Sequence, residues 1–238
     1  IFTIDALFSK CQESTTLVIE LVKRYFFSGA VGAGATVVCE RGATALKQLR
    51  RDFFQTVGRV MNSEELAQAT VEVQDEYSAV GRLVSILDVG SCHGPLQTLV
   101  DNDRDLASIL EVISLDLCPS RPHVVQADWL TYSVDEGSTD VVLMCYMLSF
   151  LPDGYLRWHA CHKAAVTLAP GGLFIIMEPK RGVRRSKWGH RWAQILKLTL
   201  GFHFVREEQR THTVVLLFSK PVSGMNITNS FEALNFHD

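Results

Sequence analysis

Carboxylates and small residues recur at the ends of short apolar runs in the second part of the chain. Asp88, Gly90, Ser91 and Cys92 close "RLVSILDV" and its turn; Asp116 and Leu117 end "EVISLDL". Asp128 and Trp129 end "HVVQADW", and Cys145, Tyr146 and Met147 fall late in "TDVVLMCYML". In open α/β sheets, ligands bind beyond the carboxyl ends of the strands, so these are the residues expected to meet one. The first turn lacks the G-x-G-x-x-G pattern, because Cys92 and Pro95 stand where the second and third glycines would be. That substitution disfavours a dinucleotide, whose diphosphate needs close backbone approach at those positions. S-adenosylmethionine has no phosphate to cradle. A tight turn at Gly90 beside the Asp88 carboxylate suits its amino-acid end, and Asp116 is placed to accept both ribose hydroxyls. Asp128 can accept from the adenine amino group while Trp129 or Leu117 packs on the ring. Tyr146, Ser149 and Phe150 follow the fourth strand beside the expected methyl group and are candidates for substrate contact, with burial in the core as the competing reading.

A second chemical signal is "PKRGVRRSKWGHRWAQILK", residues 179–197, which carries Lys180, Arg181, Arg184, Arg185, Lys187 and Arg191 and no acid. Arg184 and Arg185 suit phosphates, and Trp188 suits a stacked base, as in single-stranded RNA recognition. The alternative is a solvated loop whose tryptophans open an amphipathic helix.

The elements that must position these residues read as an α/β fold. The apolar runs above, with "GGLFIIMEP" and "TVVLLFSK", are near-continuous, as in strands covered on both faces of a mostly parallel sheet with helices on both faces. Helices are expected over 153–168 and 188–199. A helical N-terminal region, 1–80, precedes this 81–220 domain, and 221–238 reads as a tail. Within the first region, "STTLVIELVKRYFF" has helical periodicity with Ser14, Thr15 and Thr16 as candidate caps, and "SGAVGAGA" (28–35) reads as a linker. A second helix is expected from about Thr44 to Met61, and Asn62-Ser63-Glu64-Glu65 caps a third.

Composition sets the limits. The 238 residues are 47% apolar and 21% charged, and 23 Lys and Arg against 26 Asp and Glu give a net charge of −3. A uniformly cationic nucleic-acid binder is thereby excluded, although local patches are not. The six cysteines show no C-x-x-C pair, which argues against both zinc and a disulfide framework and points to a reducing compartment, nucleus (including nucleolus) or cytoplasm. No apolar run reaches membrane-spanning length, so no membrane partner is expected. Because residue 1 is Ile rather than Met, targeting is unreadable and import into an organelle stays open.

The joint order of strand-tip residues resembles the Rossmann-like class I methyltransferase layout, and "LAPGGLFIIMEP" (168–179) resembles that family's late helix-turn-strand signature, with Pro170-Gly171-Gly172 as the turn. "LSFLPDGYLRWHACHKAAVTLAPGG" (148–172), with "LDVGSC" upstream and "LGFHFV" downstream, is similar to a narrower family. It unites the SAMTOR sensors of S-adenosylmethionine with fungal adenine-N1 methyltransferases of large-subunit ribosomal RNA. The matching residues are Asp88, Gly90, Ser91 and Cys92, then Ser149, Phe150, Pro152, Tyr155, Arg157, Trp158, Cys161, Lys163 and Ala164. The resemblance implies bound S-adenosylmethionine, with Gly90 at the methionine end and Asp116 at the ribose. It leaves catalysis open, since the family holds both an enzyme and a sensor. His93 and Gly94 depart from it, and the absent N/D-P-P-Y tetrapeptide disfavours chemistry on an exocyclic amine. Catalytic residues are not assigned, because a ring nitrogen with a free lone pair needs no strong base. The leading expectation is an RNA methyltransferase acting on a ribosomal RNA base. The alternatives are a sensor that controls a protein partner through its helical N-terminal region, and a scaffold subunit of an RNA–protein assembly. Trp158 is expected in the core, by its helical spacing with Tyr155, His162 and Ala165, with Arg157 solvated.

Overall fold

The structure, a computed structural model, describes residues 4–27, 40–77, 83–179 and 188–222. Two compact units divide the chain between Leu83 and Val84. The "SGAVGAGA" stretch and most of the C-terminal tail lie outside the described residues.

The first unit is helical: α1 (Ile4–Phe26), α2 (Glu40–Val57) and α3 (Ser63–Tyr77). Helix α1 starts ten residues before the expected caps, so Ser14, Thr15 and Thr16 lie inside it and Thr15 is buried. Its Val18, Leu21, Val22, Tyr25 and Phe26 are all buried. Helix α2 starts and ends about four residues before its expected bounds, and Gly58 stops it at Val57. The start of α3 is as expected: Asn62 Oδ1 accepts from the Glu65 amide at 2.9 Å, and Glu65 Oε2 accepts from the Asn62 amide at 2.8 Å. This reciprocal pair is a capping box with Asn in the Ser/Thr role.

The second unit is a seven-stranded sheet in the order β3-β2-β1-β4-β5-β7-β6. Its elements are β1 (Val84–Val89), α4 (Pro95–Asn102), α5 (Arg104–Ala107), β2 (Leu110–Asp116), β3 (Val125–Gln126), β4 (Thr139–Cys145), α6 (Gly154–Thr167), β5 (Leu168–Pro179), α7 (Trp188–Leu200), β6 (His203–Gln209) and β7 (Thr213–Ser219). The first five strands pair in parallel, and β7 enters antiparallel between β5 and β6. From β1 the chain crosses through α4 to β2 on one side, and from β4 it crosses through α6 to β5 on the other. Right-handed crossovers running in opposite directions put those helices on opposite faces and leave a crevice at the switch point between β1 and β4. Ser85 and Asp140 lock that pair at its base: the Ser85 amide donates to Asp140 Oδ2 at 3.1 Å, and the Asp140 amide to Ser85 Oγ at 3.0 Å. Asp88 is thereby set level with Leu143 and Ser114.

The face that carries α6 and α7 buries Leu87, Met144, Ile176 and Leu216 against Trp158, Ala164, Leu196 and Phe202. Phe202 stacks on Phe174 at 5.4 Å between ring centroids and meets Phe218 at 6.1 Å. Truncating one such buried ring costs about 3–5 kcal/mol. Trp158 is in this core, its ring 5.0 Å from that of His162.

"HVVQADW" yields only a two-residue strand, because turns on either side, Val124 amide to Arg121 carbonyl and Tyr132 amide to Asp128 carbonyl, take its backbone groups. Strand β6 was missed: "HFVREEQ" mixes charge with apolar residues, and its Arg206–Glu208 pair at 3.1 Å is a sheet-surface pair rather than a loop.

Candidate functional site at the strand tips

The turn after β1 begins at Gly90 with φ +77°, and a Cβ there would lie 3.1 Å from Met147 Cβ. Only glycine permits both the conformation and this contact with the segment after β4. Cys92, which stands where a second glycine would be, has φ +54°. It keeps the left-handed backbone of a glycine turn at a cost of about 1–2 kcal/mol. Its amide donates to Asp116 Oδ2 at 2.9 Å, and the Cys118 amide donates to Asp116 Oδ1 at 2.8 Å. Asp116 therefore ties the tips of β1 and β2 together, and each oxygen keeps a lone pair for a further donor.

Beneath the turn, Asp88 is buried and accepts from Ser91 Oγ at 2.5 Å. Burial raises its carboxyl to about 6; the Ser91 bond opposes the shift, and the Asp116 charge adds to it. Asp128, exposed on the turn after β3, accepts from the Leu130 amide at 2.9 Å. Leu117, just past the end of β2, is 65% exposed. Trp129 does not share that place. It is 3% exposed, its Nε1 donates to the Ala160 carbonyl at 3.1 Å, and Lys163 Nζ sits 4.8 Å from its ring centre. Its large apolar area belongs to the α6 core, whereas Leu117 stays at the surface.

Across the crevice, Cys145 ends β4, and Tyr146 turns the chain with φ +60°, the other non-glycine left-handed residue among those described. The Tyr146 hydroxyl shares a 2.7 Å hydrogen bond with Thr213 Oγ1. A 3₁₀ turn, Leu148–Phe150, follows. In it, Ser149 Oγ donates to the Tyr146 carbonyl at 2.9 Å and the Ser149 amide donates to Glu178 Oε1 at 3.1 Å. Phe150 is 84% exposed. Arg157 is not simply solvated: its Nε and Nη2 donate to the carbonyls of Leu148 and Leu151 at 3.0–3.2 Å and clamp this turn. Arg184 and Arg185 lie outside the described residues, and so does the Trp188 side chain, although Trp188 opens α7.

Asp88, Ser91, Cys92 and Asp116 are thus joined by hydrogen bonds or charge, Gly90 and Met147 by contact, and Tyr146 with Ser149 by the β4 turn. Glu178, Thr213 and Arg157 were missed as supports. Glu178 was findable, because the strand-tip rule applied to β5 names it directly. Among the described residues, no group of three or more His, Cys, Asp or Glu could hold a metal ion, and no helix is long and apolar enough to cross a membrane.

The sheet order and its antiparallel β7 decide the fold class. It is a Rossmann-like class I methyltransferase fold.

No family model matches the chain. Among curated proteins it is similar to the "S-adenosylmethionine sensor upstream of mTORC1" of Xenopus laevis, 25% identical over 91% of this chain and 56% of the relative. The protein of the same description from Xenopus tropicalis is 24% identical over 70% of this chain and 45% of the relative. The chain spans about half the length of these curated relatives. Solved structures similar to it include the N-methyltransferase NodS of Bradyrhizobium japonicum with S-adenosyl-l-homocysteine, at 18% identity and a TM-score of 0.44 over 58% of this chain and 79% of that one. Another is the Burkholderia thailandensis 1,6-didemethyltoxoflavin-N1-methyltransferase, at 16% identity and a TM-score of 0.48 over 81% of this chain and 98% of that one.

Proposed function

We propose that the chain is an S-adenosylmethionine-binding module that reports cofactor occupancy to a protein partner. The observation that carries this reading is the contrast across the crevice: Asp116 keeps accepting capacity, whereas Tyr146 and Ser149 are bonded to Thr213, Glu178 and the local backbone. The residues fit the cofactor. The left-handed Cys92 keeps the turn compact despite the lost glycine, Asp116 would accept the ribose hydroxyls, and Asp88 with the Gly90 turn would meet the amino-acid end. Asp128 and Leu117 would meet the adenine. When bound, the cofactor supplies an electrophilic methyl sulfonium; the chain's part is to bind and orient it. Differential affinity of two conformations for that ligand is what sensing requires. The sensor description of the Xenopus relatives supports this reading.

Methyl transfer to RNA, with adenine N1 of ribosomal RNA as the acceptor, is the second reading. The run of cations from Lys180 to Arg191 after β5 favours it. Calorimetry with S-adenosylmethionine, followed by a tritiated-methyl assay on total RNA, separates the two. Saturable cofactor binding with no transferred label is expected. Label in RNA that disappears in Arg184→Glu/Arg185→Glu would establish the enzyme instead, and absence of cofactor binding would leave only the scaffold role.

A further inference from the structure

We propose that the first unit carries a docking groove for an acidic peptide segment of a partner protein, one that presents an apolar anchor side chain. The groove, about 340 Å³, runs along α2 and the turn into α3. Lys47, Arg50, Arg51 and Phe54 fall on one helical face by their i, i+3, i+4, i+7 spacing, and Val60 and Met61 close the far side. Phe54 is 53% and Val60 70% exposed. The three cations are exposed, and among the described residues none of them is in an ion pair.

The turn that presents Val60 and Met61 is fixed from within. Helix α2 stops at Gly58, φ +75°, whose amide donates to the Phe54 carbonyl at 2.9 Å. Arg59 then forms a two-pronged pair with Glu65 at 2.7 and 2.8 Å and lies 5.2 Å from the Phe53 ring centre. The capping box at Asn62 completes the brace. A braced turn that holds Val60 and Met61 beside Phe54 pre-forms an apolar slot, and its cationic rim is in no ion pair among the described residues.

The lining chooses the occupant. A single-stranded nucleic acid would use the cations and stack a base on Phe54, but Val60 and Met61 offer a base no aromatic face. A leucine or phenylalanine seated among Phe54, Val60 and Met61, with flanking carboxylates on Lys47, Arg50 and Arg51, uses every feature of the groove. The proposal deepens the sensor reading by giving its partner a chemistry. Because the groove lies wholly in the first unit, its binding is measured separately from cofactor binding.

The test is fluorescence anisotropy of the full chain with a labelled peptide of alternating Asp/Glu and Leu/Phe, beside the same peptide with Ser for Leu/Phe and a labelled oligouridylate. Saturable binding of the first peptide is expected, weakened about tenfold or more by Arg50→Glu/Arg51→Glu and, separately, by Phe54→Ser. All three positions are exposed, so unchanged thermal melting should accompany the loss. Equal binding of the Ser peptide, tighter binding of the oligouridylate, or no saturation by any probe would overturn the proposal. Calorimetry with S-adenosylmethionine on the same variants shows whether the strand-tip site stands or falls on its own.

Discussion

Around β1 and β2, the carboxylates of Asp88 and Asp116 receive a hydroxyl and two backbone amides, and Asp116 retains room for another donor. Around β4, β5 and β7, the Tyr146 phenol meets Thr213, the Ser149 amide meets Glu178, and Arg157 binds two carbonyls. Both regions sit at the same edge of one sheet and both contain a non-glycine residue in the left-handed conformation. In the proposed reading the first receives the ligand, whereas the polar groups of the second bond to the protein itself. Under the sensor reading, the half that recognises the cofactor stays open to a ligand while the other half closes around its own side chains.

The largest expected effect breaks the first half. Asp116→Ala removes two accepted amide bonds and the proposed ribose contacts, each charge-assisted bond being worth about 1.5–3 kcal/mol. S-adenosylmethionine affinity should fall about a hundredfold or more by calorimetry, and unchanged affinity would remove Asp116 from the site. Gly90→Ala comes next, because the left-handed backbone and the Met147 contact both resist a methyl group. About a tenfold loss of affinity with a lower melting temperature is expected.

The Asp88 carboxyl yields a pair of opposed pH effects. Its folded value, about 6, lies above its ordinary 3.8 because of burial, with Ser91 opposing and Asp116 adding. Its contribution to stability is thus complete below the ordinary carboxylate range and is lost as pH rises through about 6, up to about 3 kcal/mol in cofactor-free protein. Affinity for the cationic cofactor should move the other way and strengthen over the same window. Denaturant midpoints and titration calorimetry between pH 4 and about 8 read both, and Asp88→Asn should flatten both profiles.

The smallest effect sharpens the second half. Tyr146→Phe and Thr213→Val should each cost about 1 kcal/mol of stability, less than additively together, and leave cofactor affinity within about threefold. A larger loss of affinity in Tyr146→Phe would mean that the phenol faces the ligand.

Much of this was legible in the sequence, because a buried parallel strand leaves two local marks: an apolar run and a polar residue at its carboxyl end. Asp88, Asp116 and Glu178 all follow that rule. Trp129 broke the expectation because strand-end position does not say which face a side chain takes, and a large indole gains more under α6 than beside an exposed turn. The Cys92 backbone was hidden for another reason: residue type reports the ease of a left-handed conformation, whereas the Asp116 bond that enforces it spans 24 residues of sequence. Strand β6 escaped because an edge strand can carry charge on its open side. The start of α1 was misplaced because Ser and Thr, favoured as caps, are also tolerated inside a helix.

The interlock of Ser85 with Asp140 joins residues 55 apart in the chain. Everything from α4 to β3 must be enclosed before that clasp can close, at the entropy of a long loop. Refolding of Ser85→Ala would tell whether the clasp forms before or after the rate-limiting barrier: a slower refolding rate places it before, and faster unfolding alone places it after.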